Sequence, residues 1–206
     1  MSLPGLALAS LLLLAAEPAP PASESHLVAG AEAFRAGAYD KALVEFRVAE
    51  ALGSTEAGRY VAASLLKLGR AEDAVEAFVL ADRSDRSAGD ALLEVYRGEA
   101  CYAVRLYLCA DRWFESAASR AGPRLAPQLQ ALRSAIRDAL QPEQLPPAID
   151  RLLGRATELA GTRPALAAAY ADEAVALSAR SPLRHRAAEA TSLATQLAGP
   201  GQKGAR

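Results

Sequence analysis

Two stretches of this chain carry the same spacing of small and aromatic residues. His26 to Ala49 and Gly58 to Ala81 align without gaps at an offset of 32 residues. Gly30, Gly37, Ala42, Phe46 and Ala49 fall on Ala62, Gly69, Ala74, Phe78 and Ala81. A period of this length is that of a helix–turn–helix unit, which leaves an apolar face uncovered unless copies stack. The matched residue types fit that reading. Ala29-Gly30 and Val61-Ala62 are small positions where a first helix lets its own second helix approach. Gly37 and Gly69 end the first helix, where glycine takes the left-handed conformation of a C-cap. Ala42 and Ala74 keep the second helix close, and Phe46 and Phe78 fill the space between neighbouring pairs.

Composition supports helices throughout. Half of the 206 residues are apolar (51%), enough for a sizeable core, and most of these are Ala and Leu. Those are the strongest helix formers, whereas the β-branched and aromatic residues that favour strands are few. At the positions just named the chain resembles the tetratricopeptide repeat family, with Tyr39 as a further signature position. The resemblance covers residues 23–86. It departs from the family pattern in lacking the terminal proline and the large aromatic early in the first helix, and in its period, the family's being about 34 residues. What it implies is an all-α fold, a right-handed superhelical array of antiparallel helix hairpins (a TPR-like α-solenoid).

The pattern loosens after residue 83. Arg83 to Asp90 reads as a polar connector. Periodicity then runs from Ala91 through Leu108, with Gly98 as an interruption, and Trp113, Phe114, Ala117 and Ala121 supply a shorter helix ended by Gly122-Pro123, a divergent third pair. Trp113 with Tyr96, Tyr102 and Tyr107 is an aromatic concentration open to two readings, core packing or a ligand-stacking surface. A helix from Pro127 to Leu140 follows. The prolines within Gln141–Pro147 place a hinge or boundary there. Beyond it Ala148–Ala160 and Pro164–Ser178 form a weaker pair, in which Ala167, Ala171 and Ala174 repeat the small-residue face. Ser181-Pro182 starts a capping helix that runs to Leu197, and residues 199–206 form a disordered tail. The domain organisation is therefore a leader and Pro-rich linker over 1–25, repeats over 26–140, and a helical pair with its cap over 148–198.

The N-terminus reads as an export signal, the alternatives being a misread start or a short retained anchor. Leu6 to Ala16 is an apolar run of eleven residues followed by a Pro-rich stretch. It is shorter than the roughly 20 residues of a membrane span and matches the apolar region of a secretory signal. The expected location is the periplasm or cell envelope, with no stable membrane span after cleavage. No cysteine precedes Cys101, so no lipid-acceptor cysteine is present. In such a compartment Cys101 and Cys109 either pair, with a break in the helix between them, or remain buried thiols. Eight residues of unbroken helix would hold their Cα atoms about 12 Å apart, too far for a bridge. Buried thiols are therefore expected.

Charge is unevenly placed. Residues 1–119 hold 11 Lys/Arg and 17 Asp/Glu, residues 120–206 hold 12 and 7. This is either drift on solvated helix faces or a basic C-terminal surface that meets an acidic partner or an anionic envelope component. It is not the concentrated patch of a nucleic-acid binder. His26 and His185 are far apart, and no His/Cys/Asp cluster has ligand spacing, so neither metal nor cofactor is expected. No phosphate loop, nucleophile elbow or paired-carboxylate motif is present, and an enzyme is not expected. Glu72 and Asp73, at a helix start, read as charges matched to the helix dipole. Arg180, Arg184, His185 and Arg186 crowd the start of the last helix, the unfavourable end for cations. They are either an exposed arrangement without a role or a site for an anion or glycan.

The resemblance further implies a partner-binding groove lined by the first helix of each pair. Leu27, Phe34, Arg35, Arg59, Ala63, Leu66 and Lys67 fall near that face, and its cations suit an acidic or C-terminal peptide. The two-carboxylate clamp of the chaperone-binding members is not carried over, because its asparagine positions are Ala31 and Tyr60 here. The expected function is a non-catalytic protein-interaction scaffold of the bacterial envelope, the alternatives being the anion or glycan module and a hairpin array that assembles as a homo-oligomer.

Overall fold

A computed structural model describes residues 21–84, 90–120, 122–180 and 184–198, with backbone alone at 83–84, 184–187 and 198. These residues form ten α-helices: α1 (Ala22–Arg35), α2 (Tyr39–Ala51), α3 (Ala57–Lys67), α4 (Ala71–Ser84), α5 (Ala91–Ala103), α6 (Tyr107–Ala118), α7 (Ala126–Ala139), α8 (Leu145–Leu159), α9 (Pro164–Arg180) and α10 (Arg184–Ala198). The fold is all-α, and successive helices pack as antiparallel pairs.

The first three hairpins are built alike. Each turns through a left-handed residue, Gly37, Gly69 and Arg105, at φ 75°, 76° and 64°. In each, this residue and the next satisfy carbonyls that the helix end leaves open. Gly37 and Ala38 donate to Phe34 and Ala33 O at 3.0 and 2.9 Å. Gly69 and Arg70 donate to Leu66 and Leu65 O, both at 2.9 Å. Arg105 and Leu106 donate to Tyr102 and Cys101 O at 3.0 and 2.9 Å. The third hairpin is thus in register with the first at an offset of 68: Gly98, Tyr107, Ala110, Phe114 and Ala117 stand where Gly30, Tyr39, Ala42, Phe46 and Ala49 stand.

Packing explains the spacing. Ala42, Ala62, Ala74 and Ala110 are fully buried, and Phe46, Phe78 and Phe114 are at most 2% exposed. A Cβ on Gly30 would lie 2.6 Å from Phe46 Cε1, and one on Gly98 would lie 2.4 Å from Phe114 Cε1. The Phe46 ring also stacks on Tyr60 with centroids 5.1 Å apart, joining the first hairpin to the second.

Several boundaries differ from the sequence reading. Ala22–Ser25, placed in the Pro-rich linker, already belong to α1. Gly98 does not interrupt α5, because its missing side chain admits the Phe114 ring. The helix expected to continue through Leu108 instead breaks at Val104–Leu106. That break brings Cys101 and Cys109 face to face across the hairpin, Cα atoms 5.9 Å apart, and they form a disulfide rather than buried thiols. Pro146 and Pro147 do not break a helix but lie in the first turn of α8, where no N–H is required. A short 3-10 turn, Pro142–Gln144, leads into it. Residues 1–20, Ser181-Pro182 and the tail lie outside the described residues. Among the described helices none is long and apolar enough to cross a membrane.

The C-terminal helices do not simply extend the row. α8, α9 and α10 pack together, and α9 also lies against α4 and α6. Ala167, Ala171 and Ala174 are fully buried in this unit, as their small-residue spacing predicts. Arg155 on α8 donates to Glu72 on α4 at distances down to 2.7 Å. Arg163 donates to Asp73 and Glu76 at 2.8 Å, and Tyr170 to Glu72 at 3.2 Å. Glu72 and Asp73 are therefore more than dipole-matched charges: they hold the C-terminal unit. The Arg155 bonds keep the Glu72 carboxyl below its usual range despite partial burial. Burial pushes the Tyr170 hydroxyl up to about 12.

Candidate interaction site

The odd-numbered helices α1, α3 and α5 carry the residues expected to line a groove, and the structure brings only some of them together. Phe34 is half-buried, its ring centroid 5.1 Å from Tyr39 and 5.7 Å from Tyr96. The Lys67 ammonium lies 4.4 Å from the Tyr96 ring centroid and 3.3 Å from Glu99 Oε2. Such a cation over an aromatic face is held by the ring quadrupole as well as by the carboxylate. Leu27 and Leu66 are half-buried against the core. Arg35 is exposed, and its Nε donates to Ala31 O at 3.3 Å. Phe34 and Lys67 thus share one aromatic cluster that ties α1, α3 and α5 together.

Arg59 and Ala63 depart from the expectation. Ala63 is 1% and Arg59 9% exposed, so neither offers a contact surface. Arg59 is near enough to Arg97 for the two charges to oppose one another. Tyr96, noted in sequence only as part of the aromatic concentration, joins this face, and Glu99 is the residue that the sequence reading missed. The 68-residue offset places Tyr96 and Glu99 at the positions of Val28 and Ala31, where the first hairpin carries nothing that marks a contact. Of the aromatic concentration in the third hairpin, Trp113 lies under the Arg97 guanidinium at 3.9 Å. Tyr102 and Tyr107 meet edge to face with centroids 5.7 Å apart. All are half-buried against the core, which fits the packing reading.

A second concave region, about 520 Å³, opens between α4, α5, α6 and α9. Phe78, Leu106 and the Cys101–Cys109 bridge line its apolar side, and alanines of α9 leave it open. Its most unusual member is Glu173. This carboxylate is 5% exposed and accepts backbone N–H groups of Leu108 and Cys109 at 2.5 and 3.0 Å. Leu106, the N-cap of α6, has no side-chain acceptor to offer. Glu173 on α9 therefore caps a helix 64 or more residues away in sequence. Burial pushes its carboxyl up to about 7, against the pull of those two N–H groups and of Arg112 and Arg180.

Arg180 is exposed and lines this region, while the side chains of Arg184, His185 and Arg186 lie outside the described residues. Among the described residues no group of three His, Cys, Asp or Glu is placed to hold a metal. What the arrangement offers chemically is surface: an aromatic and charged face on the odd helices, and an apolar cleft with a charged rim behind it. No protein-family profile matches the chain, and no curated protein sequence matches it.

Proposed function

We propose that the chain is a non-catalytic interaction scaffold, a TPR-like right-handed array that holds a peptide or protein partner on the face of α1, α3 and α5. The observation that carries this reading is the register of three hairpins. They share turn geometry, small-residue contacts and a buried phenylalanine, so each presents its first helix in the same way. Arg35, Lys67 and Glu99 bring charge to that face beside Phe34 and Tyr96. An extended acidic segment suits it, because exposed cations steer such a partner and aromatic rings supply contact area. The N-terminal apolar run and the Cys101–Cys109 bridge support an oxidising compartment, hence the bacterial envelope.

The test is a photocrosslinking residue placed at Arg35, with a second at the exposed Val44 of α2 as control, in the exporting host. A partner captured from Arg35 and not from Val44, and lost when Lys67→Glu is added, is the expected result. Equal capture from both positions removes the assignment of the face.

A further inference from the structure

The turn between α5 and α6 keeps the hydrogen bonds of the two earlier turns but not their residue. Gly37 and Gly69 take the left-handed conformation at no steric cost, whereas Arg105 takes it at φ 64° with a Cβ to accommodate. The hairpin itself gives no reason for a long charged side chain there. Arg105 is exposed, and its guanidinium makes no hydrogen bond or ion pair among the described residues.

Its surroundings do give one. Arg105 borders a cleft of about 400 Å³ between this turn and α8. The half-buried Val104 forms the accessible apolar wall, with Leu152 and Tyr170 buried behind it, and Arg151 and Arg155 bring two further guanidinium groups, against the carboxylate of Glu158. Arg155 is already engaged, by Glu72 and by Glu158 at 2.6 Å. The guanidinium of Arg151, exposed on α8, is like that of Arg105 without a hydrogen-bond or ion-pair partner among the described residues. Two guanidinium forks from separate elements, without partners among the described residues, match the paired oxygens of a carboxylate or phosphate. The apolar wall beside them strips water from whatever the head group carries.

We propose that this cleft binds a small amphiphilic anion, its carboxylate or phosphate head between Arg105 and Arg151 and its apolar stem against Val104. The site lies away from the face of α1, α3 and α5 and does not depend on peptide binding there.

Calorimetric titration of the full chain with octanoate, octyl phosphate and inorganic phosphate tests it, using Arg105→Gly and Arg151→Gln as variants. The expected result is saturable binding of at least one amphiphile, weakened about tenfold in either variant and further at high salt. Arg105→Gly should at the same time melt at a higher temperature, because glycine relieves the left-handed turn. A higher melting temperature with unchanged binding would show that the arginine serves no ligand, and would overturn the proposal. Absence of binding by both amphiphiles overturns it as well. Inorganic phosphate binding as tightly as octyl phosphate overturns the part assigned to the apolar wall.

Discussion

Single atoms decide much of this molecule. The missing Cβ of Gly98 is the space that Phe114 occupies, and Phe114 is fully buried with no room to retreat. Gly98→Ala should therefore destabilise the chain by about 1–2 kcal/mol, overpacking outweighing the gain in helix propensity. Gly154→Ala on α8, where an added Cβ meets nothing within 4 Å, should instead stabilise by up to about 1 kcal/mol. Urea midpoints of the two variants check both signs. Glu173 makes a prediction of a different kind. Its folded pKa, about 7, lies above the ordinary 4.5. The folded state therefore holds the proton more tightly across that window, and stability falls as pH rises through it. The penalty is absent below about pH 4.5 and complete above about pH 7, with an upper bound of about 3 kcal/mol. Glu173→Gln removes the titration. The stability of the natural chain relative to this variant should drop between pH 5 and pH 8, and a constant difference would contradict the assignment.

At the scale of elements, the hairpin is the unit, and the disulfide belongs to one of three. It closes a separation of eight residues across the α5–α6 turn, where the first two hairpins have Ala33 and Lys41, and Leu65 and Asp73. Replacing both cysteines by serine should cost about 2–3 kcal/mol by chain-entropy reasoning, read as a lower urea midpoint that reductant no longer shifts. The first two hairpins were legible in the sequence because glycine occupies the turn and small residues recur at a fixed offset. The third was only partly so. Arg105 conceals its turn, the segment around residue 87 changes the offset from 32 to 36, and Gly98 reads as a helix breaker until the Phe114 ring is seen against it. The same mistake hid the disulfide, since a helix unbroken through Leu108 keeps the two sulfurs apart. The prolines that open α8 read as a break for a related reason: proline ends a helix from within but is at home in its first turn.

For the whole molecule, the decisive contacts join residues that local patterns cannot relate. Glu72 meets Arg155 across 83 positions and Tyr170 across 98. Periodicity assigns each helix its apolar face but says nothing of which distant helix covers it, so the packing of α9 on α4 and α6 was not foreseen. Glu72→Ala should loosen this junction by about 1–2 kcal/mol, discounted because the carboxylate is partly solvated. Hydrogen exchange is expected to quicken in α8 and α9 and to stay as it was in α1 and α2. Uniform quickening would mean that the junction supports the fold as a whole.

That junction also fixes where the row of hairpins can grow. An open row of hairpins can gain or lose a member at its end, since each unit answers only to its neighbours. Here α9 bridges α4 and α6, so another hairpin inserted between them would carry its two docking partners apart. Ahead of α4 the row stays open, whereas duplication within the bridged stretch would have to begin by discarding the bridge.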